Sequence, residues 1–359
     1  MITFQDLVCQ ESFRHFVEQR LKSGLGLETY AFPDKLPVLF KYRALSDYSI
    51  KDILNNQITL SAIGSFNDLF DGTIQQYGTK EEQRKAAEDE WAKTYGKFND
   101  SIGFESSLDR EKYVSLLSEH YKTESRLKFR LLEYLGTYAC CFSTKRDSTL
   151  MWSHYANSNM GICIGYDFNT LPESSLLRNM LFPVAYSKDP VYLSDLLYDE
   201  HRDIYEYSLD AAVLCAALNK SDTWKYENEW RMIHLSLNSN TSLLYQPIRI
   251  PILPHEIHLG YHFLKPLFYY ASRKEEREQS SKRIENIITL LSYVVEKKIP
   301  ISLMVPQIGH YNLVPISISG TTLLEFIKHH FKDSIPENIR YYHTIHDELI
   351  DMIEENDNV

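Results

Sequence analysis

Glu227-Asn228-Glu229 sets two carboxylates two positions apart, with Arg231 two further on, inside the aromatic run Trp224 to His234. The middle of that run alternates as a half-buried strand does, which predicts Glu227, Glu229 and Arg231 on one face. Like charges at that spacing disfavour each other's ionisation, and such a pair beside a cleft suits acid, base or cation-stabilising work. The same spacing also suits an ordinary surface ion-pair row in which Lys225 and Arg231 neutralise the glutamates. Ser143-Thr144 follows the apolar run Tyr138 to Phe142. A hydroxyl there can orient a carboxylate or a polar ligand, or close a turn. Arg43, next to Tyr42 at a strand end, offers a planar fork for two phosphate oxygens, or is a plain surface side chain.

Other groups lend themselves less to chemistry. Asn67, Asp68 and Asp71 bring oxygens together as Mg²⁺ would want, but the turn-rich stretch Gly64 to Gly72 makes loop capping the simpler reading. His154 lies beside Trp152 and Tyr155 without a recognisable nucleophile. His255 and His258 lack the partners a zinc site needs. Neither G-x-x-x-x-G-K-[ST] nor G-x-G-x-x-G occurs.

The elements that must position these residues alternate between strand and helix. Strands are predicted at Val38 to Arg43, Gln57 to Ala62, Tyr138 to Ser143, Gly161 to Tyr166, Leu181 to Tyr186, Trp224 to His234, Ile248 to Ile252, Glu256 to Leu259, Ile301 to Val305 and Leu313 to Ile318. Ser46 offers an N-cap for a short helix to Asn55. Met151 to Ala156, Tyr192 to Asn219 and Thr321 to Phe331 read as helices, and Ile284, Ile287, Ile288, Leu291, Val294 and Val295 form one amphipathic stripe. The expected fold class is α+β. A helical segment at residues 1–36 precedes a core domain at 37–260, which carries a helical insertion at about 80–135. An α/β extension at 261–359 packs on the core.

Across 359 residues, 38 basic and 49 acidic side chains leave a formal charge of −11. An acidic surface repels phosphate, which excludes a general nucleic-acid coat while leaving room for a local basic site. With 43% apolar residues the chain can bury a substantial core. It has neither a run of ~20 apolar residues nor an export signal at its start, so a cytoplasmic protein without membrane contact is expected. The five cysteines form no C-x-x-C pair, so neither a disulfide framework nor a zinc knuckle is indicated.

Together, Phe40-Lys41-Tyr42-Arg43-Ala44-Leu45, Ser65 to Asp71, Cys141-Phe142-Ser143, Met151 to Ala156 with Gly161 to Ile164, and Trp224 to Arg231 resemble the bacterial domain-of-unknown-function family 2971. The order Arg43, Ser143-Thr144, Glu227-x-Glu229 is in turn similar to the arginine, serine, Glu-x-Glu order of ADP-ribosyltransferases. Lys145 stands where that superfamily has a second serine. The second resemblance implies an ADP-ribosyltransferase-like mixed sheet with NAD⁺ as substrate, a protein or nucleic-acid acceptor, and a place among bacterial toxins or phage-defence effectors. It also implies roles. Glu229 stabilises the ribosyl cation, Glu227 orients or deprotonates the acceptor, Ser143 braces Glu229, and Arg43 and Thr144 bind NAD⁺, with Tyr42, Trp152 and Tyr155 walling the nicotinamide. That chemistry requires no metal. Two rival expectations stand beside it: a metal-dependent nuclease or phosphodiesterase using Asp68, Asp71, Glu227 and Glu229, and a non-enzymatic interaction or sensor module.

Overall fold

The computed structural model describes residues 35–68, 70–71, 74–75, 80–95, 107–128, 136–172, 175–188, 191–192, 208–235, 247–267, 277–331 and 340–357. In chain order these form β1 (Leu39–Arg43), α1 (Asp47–Leu54), β2 (Gln57–Ala62), β3 (Ile74–Gln75), α2 (Lys80–Tyr95), α3 (Ser107–Lys128) and β4 (Thr137–Ser143). Next come α4 (Thr149–Tyr155), β5 (Ile162–Tyr166), α5 (Leu176–Asn179), β6 (Leu181–Pro183), β7 (Ala185–Ser187), β8 (Val191–Tyr192), α6 (Ser208–Leu218), β9 (Asn219–Ser221) and β10 (Glu229–Leu235). The remainder is β11 (Ile248–Pro251), β12 (Glu256–Leu259), α7 (Arg277–Lys297), β13 (Ile301–Pro306), β14 (Leu313–Ile318), α8 (Gly320–Phe331) and α9 (Arg340–Asp357). The fold is α+β. The segment expected at 1–36 lies almost wholly outside the described residues.

A ten-stranded mixed sheet runs β11-β2-β4-β1-β5-β12-β13-β14, and β10 pairs with both β4 and β6. Within it only β12 and β13 run parallel, and they join across residue 260, so the C-terminal strands extend the core sheet itself. Strand alternation sends β1 side chains to two different cores. Leu39 enters the large core under α7, while Phe40 and Tyr42 join a smaller cluster with Met151, Trp152, Cys163 and Met304. On β10, Trp230 and Met232 point into the large core. Glu229 and Arg231 therefore face the side of the small cluster, where their β4 partners Ser143 and Cys141 also point.

Local chemistry fixes the ends of the short elements. The Ser46 hydroxyl accepts from Ser49 N at 3.3 Å to start α1, and the Ser148 hydroxyl accepts from Met151 N at 3.4 Å to start α4. Helix α6, SLDAAVLCAAL, is buried from Val213 to Leu218, as an almost uniformly apolar sequence requires. Tyr192, where the sequence predicts this helix to begin, is in β8, and 193–207 lie outside the described residues. Leu181 to Tyr186 divides at Val184, because β6 pairs with β10 as far as Pro183 opposite Trp230 while β7 pairs with β9. Among the described residues no helix is long and apolar enough to cross a membrane.

Candidate active site

The two glutamates come together by a route other than strand alternation. Asp222–Glu227 forms a 3-10 turn, Asn228 adopts a left-handed conformation (φ 45°), and β10 begins only at Glu229. Asparagine tolerates that conformation better than most residues, because its side chain can bond locally; here Asn228 Nδ2 donates to Tyr226 O at 3.1 Å. The turn folds Glu227 back beside Glu229. Lys225, expected as a neutralising partner, is exposed. The cation that binds both carboxylates is Lys220 on β9, whose Nζ donates to Glu227 Oε2 at 2.6 Å and to Glu229 Oε2 at 2.9 Å.

Arg231 completes the cluster. It is fully buried, and its fork donates to Asp71 Oδ1 and Oδ2 at 2.6 and 2.8 Å while Nε reaches Glu229 Oε1 at 2.8 Å. Nη1 also reaches the carbonyl of Ala217 at 2.6 Å, satisfying an orphan acceptor at the C-terminal end of α6. The Phe66 ring lies 5.6 Å from the guanidinium carbon. Asp71, weighed in the sequence as a metal ligand or loop cap, is thus an arginine clamp. Asp68 is the loop cap, its Oδ1 accepting from Phe70 N at 3.0 Å. No group of three or more His, Cys, Asp or Glu side chains is arranged to hold a metal ion among the described residues.

This cluster closes one end of a cleft of about 200 Å³, lined by Phe40, Lys41, Tyr42, Phe66, Asn67, Asp71, Cys141, Phe142, Met151, Tyr155, Lys220, Glu227 and Glu229. Along the cleft β1 and β4 are registered at a single pair, Phe40 opposite Ser143. Lys41 is half-buried in its wall, with Nζ donating to Cys141 O at 3.2 Å and lying 5.6 Å from the Phe142 ring. Tyr155 donates its hydroxyl to Glu227 Oε1 at 2.6 Å, and the Tyr42 hydroxyl donates to Lys145 O at 2.7 Å. The Tyr186 hydroxyl accepts from Glu229 N at 2.8 Å.

Their surroundings drive the two carboxylates apart in acidity. Burial pushes the Glu227 carboxyl up from its ordinary value, against the pull of Lys220 and the Tyr155 hydroxyl. Burial works on Glu229 in the same direction, but Arg231 and Lys220 outweigh it and hold the carboxyl at about 2. The acids in turn push the Lys220 ammonium up in spite of its burial. Three carboxylates against two cations leave this closed end with a formal charge of −1.

Of the residues singled out in the sequence, Glu227, Glu229, Tyr42 and Tyr155 meet in the cleft. Arg43 does not. It points to the opposite face of the sheet, where Nη1 donates to Asp52 Oδ2 at 2.7 Å, because it neighbours Tyr42 on an alternating strand. Trp152 is wholly buried behind the cleft, edge-on to Tyr42 at 5.3 Å, with its indole N–H given to Arg146 O at 2.8 Å. Thr144 is tied by its backbone, N donating to Asn228 O at 3.1 Å. Ser143 sits beneath the site. Its hydroxyl donates to the Glu227 carbonyl at 2.6 Å and accepts from Lys145 N at 3.0 Å, so it braces the Glu227 main chain and not the Glu229 carboxylate. Lys220, Lys41 and Tyr186 escaped the sequence reading. Nothing in their local pattern marks them; Lys220 follows an apolar helix and shows itself only as a lysine that is 6% exposed.

Residues 151–232 match the family model described as Protein of unknown function (DUF2971). No curated protein and no solved structure matches the chain. The matched segment runs from α4 through β10 and carries Tyr155, Lys220, Glu227, Glu229 and Arg231, so the likeness to the DUF2971 family lies in the part of the chain that builds the site.

Proposed function

We propose that this protein is an enzyme that cleaves the nicotinamide–ribose bond of NAD⁺ and transfers ADP-ribose to an acceptor. One observation carries the reading: two carboxylates of divided acidity share a buried lysine at the negative end of an aromatic-walled cleft. Such a division separates a fixed anion from a proton carrier. Glu229, kept ionised, opposes the positive charge that develops on the ribosyl carbon as the glycosidic bond breaks. Nicotinamide leaves with the bonding electron pair, the acceptor's lone pair forms the new bond to that carbon, and Glu227 takes the acceptor's proton. Phe40, Tyr42 and Tyr155 supply aromatic faces for the nicotinamide ring. Lys41 takes the phosphate-binding part that the motif order had given to Arg43.

Three of the four carboxylates of the metal-dependent alternative, Asp71, Glu227 and Glu229, are already held by Lys220 and Arg231, which favours the metal-free chemistry. We place the activity in the cytoplasm of a bacterium, as a toxin or phage-defence effector. Free thiols at Cys140, Cys141, Cys163 and Cys215 support a reducing compartment.

The test is incubation of the protein with NAD⁺ labelled on the adenylate and with cell extract, following nicotinamide release and label transfer. Wild type should do both. Glu227→Gln should lose both by a factor of roughly 10² or more while keeping its unfolding temperature. Absence of nicotinamide release from wild type, or full activity in Glu227→Gln, overturns the reading.

A further inference from the structure

Beside the cleft mouth, outside the group that holds the two glutamates, a row of rings occupies the protein surface. Tyr155, in the cleft wall, meets His154 edge-on at 6.4 Å between centroids. His154 lies 6.5 Å from Tyr226, and Tyr226 lies 6.0 Å from Trp224, at interplanar angles of 44° and 37°. His154 is exposed, while Tyr226 and Trp224 are half-buried. The inner side of the row is anchored. Tyr226 packs on the small core cluster, and the Lys220 ammonium lies 5.0 Å from the Trp224 ring centre. The row is therefore packed from within and continuous with the site, and it ends on the lysine that holds both carboxylates.

A run of neighbouring aromatic rings at a protein surface takes flat heterocycles in succession, with little regard to their sequence. The charges on these segments are mixed: Lys145 and Lys225 are exposed, as are Asp147 and Asp222. Phosphate attraction along the row is consequently modest, in keeping with the acidic chain as a whole, and stacking must supply most of the affinity.

We propose that the row Trp224–Tyr226–His154 is the platform for the acceptor, and that the acceptor is a base of a single-stranded nucleic acid. The acceptor role rests on the transferase reading above; the binding itself does not. Bases stacked on the row deliver the next base along the strand to the cleft beside Tyr155, where one of its nitrogens supplies the attacking electron pair and yields its proton to Glu227.

Titration of the full-length protein, without NAD⁺, by mixed-sequence 12-nucleotide single-stranded DNA and RNA and by a blunt duplex of the same length tests this through tryptophan fluorescence. Single strands should quench the emission and the duplex should not. Replacement of Trp224 by Leu should remove that quenching and weaken binding, followed by anisotropy of a labelled strand, roughly tenfold. Tyr226→Leu should weaken it to a similar extent, and it decides the matter should Trp224→Leu fail to fold. Affinity should fall only gently with salt, with a log–log slope of about 1 to 2. Equal binding of duplex, no binding of either single strand, or undiminished binding by the folded ring variants would overturn the proposal. Nicotinamide release without strand binding sinks this inference alone; strand binding without nicotinamide release sinks the transferase reading and the acceptor role with it, and leaves the binding platform standing.

Discussion

Two arginines serve aspartates on opposite faces of one sheet, and their fates differ. Arg43 donates to Asp52, which also accepts from Thr59 and Gln57; both partners keep some exposure, at 22% and 12% of their side chains. Arg231 is sealed from solvent between Asp71, Glu229 and a helix end, in a group that includes Lys220 and Glu227. The first pair keeps some contact with water, and Asp52 retains Thr59 and Gln57 as donors without the arginine. The second gathers five ionisable groups at the end of a cleft, where desolvation makes each depend on the others. Only the second arrangement can do chemistry, because only there do nearly identical carboxyl groups acquire different acidities.

Removing the central cation should have the largest effect. Arg231→Leu leaves Asp71 and Glu229 buried without it, and the expected loss is about 3–5 kcal/mol of unfolding free energy, or failure to fold, read from denaturant midpoints. A variant of wild-type stability would mean that the two faces do not differ as described.

Acidification separates the faces next. Glu229 is held at about 2 against an ordinary value of 4.5. Its contribution is fully present above about pH 4.5 and is lost as pH falls through the folded value, amounting to about 3 kcal/mol. Glu227 runs the other way, since its raised folded value means that holding the ionised form costs stability as pH climbs through the carboxyl range. Urea midpoints taken between pH 5 and 2.5 should therefore fall steeply in wild type and distinctly less in Glu229→Gln; parallel curves would refute the assignment.

A smaller effect on the fold is expected at Glu227. Glu227→Gln retains a hydrogen-bonding group for Tyr155 and Lys220, and should change stability by about 1 kcal/mol or less while abolishing nicotinamide release. Smallest of all should be Arg43→Met: no more than about 1 kcal/mol in stability and no change in NAD⁺ cleavage, by thermal unfolding and product assay. Loss of cleavage there would return Arg43 to the site and erase the contrast between the faces.

Much of the framework was legible along the chain. Apolar runs and alternation located β1, β2, β4, β5 and the late strands, and a serine cap marked α1. The Glu227 and Glu229 pair was visible as chemistry, although the reason it converges is a turn and not a pleat. Arg43 was misplaced for a simple reason. Motif order along a sequence carries no information on which side of the sheet a side chain takes, and Arg43 goes to Asp52 on the other side. Lys220 was invisible as the partner of Glu227 and Glu229, and Asp71 as the partner of Arg231, since they come from β9 and from the loop after β2, the latter 160 positions from Arg231.

The sequence by itself determined the α+β class, most of the strands and the carboxylate pair, because those follow from local periodicity and from residue type. Tertiary structure alone decided which carboxylate stays ionised, which arginine is buried and where the cleft lies. Each of these depends on distances between groups brought together from distant segments, and on how much water remains between them.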